Sequence, residues 1–105
     1  MEFSEAVRLT IAALEDGRFL HEPRPLASGK NLLATGDVSA DDVIRLLRRC
    51  RPARYQTGVH HDDATQEVHF FKPKSAGIRW YIKSYLVESD DLTAIFISVH
   101  ESEYQ

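Results

Sequence analysis

The sequence predicts an α+β fold, with N-terminal helices packed on one face of a small antiparallel β-sheet built by the C-terminal half. Three observations carry that prediction. Residues 4–16 and 39–50 place apolar side chains at helical spacing between recognisable caps. Residues 66–100 hold three runs rich in β-branched and aromatic side chains, separated by the turn signals Lys74-Ser75-Ala76-Gly77 and Glu88-Ser89-Asp90-Asp91. No repeat, low-complexity tract or linker divides the 105 residues, so a single domain over 1–105 is expected.

In the first helix, Ser4 is read as the N-cap, and Val7, Ile11 and Leu14 form an apolar stripe with Ala6, Ala12 and Ala13. Gly17 suits the stop. Residues 18–22 read as a short strand, after which Pro23 and Pro25 force an extended link. Residues 28–35 allow one or two helical turns ended by Gly36. The clearest helix spans residues 39–50. Ser39 and Asp42 form a variant capping box, and Val43, Ile44, Leu46, Leu47 and Cys50 give the buried side. Arg48 and Arg49 complement the dipole in its last turn, and Pro52 closes it. Residues 54–59 read as the first sheet strand, making about four antiparallel strands in all. A polar turn, His60-His61-Asp62-Asp63-Ala64-Thr65, leads into the others, and residues 101–105 form a short tail.

Composition narrows the function. A hydrophobic content of 43% and a charged content of 28% are ordinary for a globular domain. No apolar run has the length of a membrane span and the N-terminus lacks a signal-peptide core, so no membrane is expected and the cytoplasm is the expected location. One cysteine, Cys50, excludes an internal disulfide and a cysteine-rich zinc site. A formal charge of −3 argues against strong non-specific nucleic-acid binding by the whole surface. Charge is uneven, however. Arg45, Arg48, Arg49, Arg51 and Arg54 fall in a stretch without acidic residues, and Lys72, Lys74, Arg79 and Lys83 form a second basic set suited to phosphate.

Pairing arithmetic sorts the sheet residues by face. If Glu88 and Asp91 flank the second turn, Arg79 faces His100, Tyr81 faces Ser98 and Lys83 faces Phe96. If the first turn centres on Ala76, Phe71 faces Tyr81 and His69 faces Lys83. Alternation then puts His69, Phe71, Arg79, Tyr81, Lys83, Tyr85, Phe96, Ser98 and His100 on one face. The other, mostly core, carries Val68, Phe70, Lys72, Trp80, Ile82, Ser84, Leu86, Ile95, Ile97 and Val99. A one-residue slip in either turn swaps the sets for one strand.

The order of elements resembles the MqsR family of bacterial toxins, within the wider RelE-like group of small ribonucleases. The resemblance rests on the helix ending at Gly17, Asn31-Leu32-Leu33, the helix over residues 39–50, and Tyr55. It continues through Phe71-Lys72-Pro73, the strand Trp80-Tyr81-Ile82-Lys83 and the last strand, residues 95–100. It implies a RelE/MqsR-like fold and metal-independent cleavage of single-stranded messenger RNA by attack of the 2′-hydroxyl on the adjacent phosphorus. It also implies a cognate antitoxin as partner, and neither a cofactor nor a metal. The family's strand tyrosine falls on Tyr81 and the basic residue ending its last strand on His100. Two features depart from the pattern: Gln56 stands where the family has a lysine, and the glutamine expected on the next strand has no clean match, Val68 and His69 occupying that region.

The expected catalytic residues are Tyr81, Lys83, His100, Arg79 and His69, because 2′-hydroxyl attack needs proton carriers and cations for the phosphorane. Lys72, Lys74, Tyr85, Gln56 and Arg54 are the expected RNA contacts, with Tyr85 offering a stacking surface. Each has a plainer reading: a strand-end histidine, a half-buried tyrosine, a solvated lysine. Phe71 reads more readily as core, as does Cys50. The tract His60-His61-Asp62-Asp63 reads as a solvated turn, since adjacent ligands in a turn seldom complete a metal site. A rival reading keeps the fold and the basic, aromatic face but not the chemistry: a non-catalytic module binding RNA or a protein.

Overall fold

The structure is a computed structural model and describes residues 1–23, 30–88 and 90–102. In chain order the elements are α1 (Phe3–Glu15), β1 (Phe19–His21), α2 (Leu32–Thr35), α3 (Ala40–Arg49), a 3-10 turn (Pro52–Arg54), β2 (Tyr55–Val59), β3 (Glu67–Phe71), β4 (Lys74–Ser75), β5 (Ile78–Glu88) and β6 (Leu92–Glu101). The α+β class is as expected. Among the described residues the sheet has six strands in the order β1-β6-β5-β3-β2, with β4 paired to the start of β5. It is mixed, not wholly antiparallel, because β1 runs parallel to β6. Such a pairing needs a long return path, and the two strands are separated by most of the chain.

Local chemistry sets the helix ends. Helix α3 carries the expected capping box: Ser39 Oγ accepts from the Asp42 N–H, and the Asp42 carboxylate accepts from the Ser39 N–H. Helix α1 begins two residues earlier than the expected Ser4 cap, with Glu2 as an N-cap that makes no side-chain bond. Asn31 caps α2, its side chain accepting from the Ala34 N–H, and Gly36 ends it at φ 85°. Ser28, Gly29 and Pro25 lie outside the described residues.

The helices pack on one face of the sheet. Ala6, Ala13 and Leu14 from α1, Leu33 from α2 and Val43, Ile44, Leu46 and Leu47 from α3 meet Phe71, Ile82, Ala94, Phe96 and Val99, with Cys50 among them. Burial raises the Cys50 thiol pKa, in keeping with a core residue.

Both hairpin registers differ from expectation. The β4–β5 turn is a two-residue turn at Ala76-Gly77, which pairs Ser75 with Ile78. Both turn residues have positive φ, 53° and 82°, the geometry that matches the right-handed twist of a hairpin. The turn centre therefore falls between Ala76 and Gly77, and β3 slips by one: His69 pairs with Ser84, Phe70 with Lys83 and Phe71 with Ile82. Phe71 and His69 thus face the helices, and Phe70 takes the opposite face.

In the β5–β6 hairpin, Tyr81 pairs with His100 and Lys83 with Ser98, whereas Ser84 pairs with Phe96. Ile97 is the extra residue of a bulge. The turn pairs Glu88 with Leu92, one residue beyond the expected Asp91, so Phe96 turns into the helix-side core, where it is fully buried. Beyond the bulge the shift is two residues, which leaves Tyr81, Lys83, Ser98 and His100 on their expected face.

Candidate functional site

The face of the sheet away from the helices carries Gln56 from β2, Phe70 from β3, Arg79, Tyr81 and Lys83 from β5, and His100 from β6. Its centre is a cross-strand pair. The rings of Tyr81 and His100 stack with centroids 5.2 Å apart and planes 27° apart. Their chain positions are directly opposed, nearer than diagonal neighbours on adjacent strands. His100 Nδ1 lies 2.7 Å from the Glu101 carbonyl oxygen. A carbonyl only accepts, so Nδ1 is the donor there and Nε2 is the ring nitrogen left for a proton acceptor's role.

Burial raises the Tyr81 pKa above its ordinary value of 10.0. The phenol therefore stays protonated at neutral pH and offers a proton.

Around this pair the face is aromatic and basic. Phe70 lies 6.2 Å from Tyr81, centroid to centroid, at 57°. The Lys83 ammonium sits 5.3 Å over the Phe70 ring, within range of a cation–π contact. Lys72 Nζ donates to Gln56 Oε1 at 3.0 Å. Next to Tyr81, a cleft is lined by Arg54, Lys72, Arg79, Trp80 and Ser102. Its shape is held by the backbone: the Lys72 N–H donates to the Arg54 carbonyl at 2.9 Å, and the Ser102 N–H to the Arg79 carbonyl at 2.8 Å. A phenol, an imidazole and several cations thus share one surface, groups able to move protons and to balance phosphate charge.

The chain matches no family model, curated protein or solved structure in these comparisons.

Of the residues expected at the site, Tyr81, Lys83, Arg79, His100, Lys72, Gln56 and Arg54 come together. Lys74 stands at the hairpin tip, paired with Arg79 across the turn. Two expectations are corrected. His69 lies on the helix side and is only 1% exposed, as the one-residue slip of β3 requires. Its Nδ1 is 2.8 Å from the Tyr55 hydroxyl, and its ring stacks on Tyr55 at 6.0 Å. Burial lowers the His69 pKa, outweighing the opposite pull of Glu67. Burial first, then Glu67 and Glu2, pushes the Tyr55 hydroxyl up to about 12. This pair is a packed unit beneath the sheet, away from the open face.

Tyr85 shares the open face but not the site. Four residues along the strand from Tyr81, it lies roughly 13 Å away. There the His60 ring covers it edge-on at 5.1 Å. His60 is correspondingly not a solvated turn residue. Its Nε2 is 2.9 Å from Glu22 Oε1, with side chains 9% and 15% exposed, and its Nδ1 accepts from the Asp62 N–H at 3.1 Å. His60, His61 and Asp62 bring donor atoms within 4.8 Å of one another, but both His60 nitrogens already bond to protein groups.

Phe70 and Lys72 are the site residues that face-sorting assigned to the wrong side. The signal was present. Phe70 shares parity with Lys72, and Gly58 on β2 leaves room for a ring, since a Cβ there would stand 3.1 Å from Phe70 Cε2.

Proposed function

We propose that the open face is the active site of an endoribonuclease that cleaves single-stranded messenger RNA without a metal, the toxin of a toxin–antitoxin pair. The observation that carries this reading is the stacked Tyr81–His100 pair, a protonated phenol beside an imidazole whose Nδ1 bonds the Glu101 carbonyl. His100 Nε2 takes the proton of the RNA 2′-hydroxyl as its oxygen attacks phosphorus. Tyr81 donates a proton to the departing 5′-oxygen as the P–O5′ bond breaks. The products are a 2′,3′-cyclic phosphate and a 5′-hydroxyl, and the two side chains exchange protons with solvent to reset. Lys83 and Arg79 balance the charge that builds on the phosphorane oxygens.

Helices on one face of a sheet and an open opposite face also suit a likeness to the RelE/MqsR-like group. Gln56, where that family has a lysine, need not remove the cation. The Lys72 ammonium reaches the same point from the next strand, 3.0 Å from Gln56 Oε1. The antitoxin, and a cytoplasmic setting, belong to this same proposal.

The test is RNA cleavage by purified protein in EDTA. His100→Ala and Tyr81→Phe should each lower the rate about 10²- to 10⁴-fold without changing the melting temperature. Gln56 favours one rival, a module that holds RNA or a protein but does not cut. Binding of RNA without cleavage by the unaltered protein would select it.

A further inference from the structure

Phe70 is a large aromatic residue only partly buried on the face opposite the helices, and nothing in the acid–base chemistry uses it. Its surroundings suit a flat ligand. Gly58 beneath the ring edge lacks the Cβ that would press on Phe70 Cε2. Tyr81 flanks it at 6.2 Å. Lys83, a flexible cation, lies over the ring face, where a base would lie in a stack. Tyr81 also borders the cleft of Arg54, Lys72 and Arg79. Lys72 and Tyr81 line both that cleft and the hollow beside Phe70, so the stacking surface and the phosphate cleft adjoin.

Building on the proposed ribonuclease reading, we infer that Phe70 is a base-stacking residue. An unpaired base of bound RNA lies on its ring, displacing the Lys83 ammonium towards the backbone, while the adjoining phosphate enters the Arg54–Lys72–Arg79 cleft. Stacking tolerates any base, because every base has a π-face. Phe70 therefore sets register and affinity for single strands, not the choice of base. It is a positioning residue: it brings the 2′-hydroxyl to His100 and takes no part in proton transfer. Paired bases cannot lie on the ring, so duplex RNA is excluded.

The experiment measures binding of fluorescent oligonucleotides whose 2′-hydroxyls are all methylated, so that no cleavage interferes. One oligomer carries bases throughout and a second is abasic at every position. Phe70→Leu should weaken binding of the first about 5- to 100-fold and leave the second unchanged, while Phe70→Trp restores the first. Equal melting temperatures show that the variants fold. If the unaltered protein binds but Phe70→Leu binds the base-bearing oligomer as well as it does, the stacking role is overturned and the ribonuclease reading survives. A Phe70→Leu loss of equal size on both oligomers has the same meaning. If the unaltered protein neither binds nor cuts RNA, both fall together.

Discussion

His69 and Phe70 are neighbours with opposite fates. His69 points into the helix layer, where its Nδ1 meets the Tyr55 hydroxyl, and Phe70 points to the open face. The buried imidazole makes a pH prediction. Its folded-state pKa lies below the ordinary 6.5, so the unfolded chain binds the proton more readily. The stability it contributes is complete above pH 6.5 and is lost as pH falls from there through the folded value. His21, also lowered by burial, acts in the same direction. Urea midpoints measured between pH 8 and pH 5, about the range in which histidine titrates, should fall towards acid. The fall should be shallower in His69→Gln, though not absent, because His21 remains. An unchanged slope would refute the assignment. The cleavage rate of folded His69→Gln should match that of the unaltered protein, because the ring is on the far side of the sheet.

The β4–β5 hairpin shows how one turn decides a strand's chemistry. Ala76 sits at φ 53°, a conformation that costs a residue with a Cβ and that asparagine tolerates better. Ala76→Asn should keep the register and raise stability by about 0.5–1 kcal/mol, read as a higher denaturation midpoint. A fall instead would mean that the turn is not of the two-residue type. The β5–β6 bulge works in the other direction. It lets Phe96 enter the core while His100, four residues later, stays on the open face beside Tyr81. Strict alternation would have given both residues the same face.

Across the whole molecule, the helix-side core and the open face divide the work of stability and chemistry. The open face itself has two ends. At one end are Tyr81, His100 and the basic cleft. At the other, Glu22 after β1 meets His60 after β2, so residues beyond the two outermost strands of the sheet are joined over Tyr85. His60→Ala removes that contact and should cost about 1–3 kcal/mol, seen in chemical denaturation. Cleavage per folded molecule should persist, since Tyr81 is roughly 13 Å along the strand. Loss of cleavage in a fully folded His60→Ala would place the two ends in one site. Among the described residues no helix is long and apolar enough to cross a membrane.

Much of this molecule was legible in its residues. Local signals sufficed for the α3 capping box, the Gly36 stop, the buried stripe of Val43 and Leu47, and the hairpin strands, because each depends on side chains within a few positions of one another. The shared face of Tyr81, Lys83 and His100 was also legible, since a two-residue shift leaves alternation unchanged. What the sequence could not determine was phase. Whether the turn centres on Ala76 or between Ala76 and Gly77, and whether Ile97 is paired or bulged, depends on which arrangement buries Phe71, Ile82 and Phe96 together under the helices. The parallel pairing of β1 with β6 and the Glu22–His60 contact likewise join residues far apart in the chain. Those choices belong to tertiary packing, and they are what moved His69 out of the site and Phe70 into it.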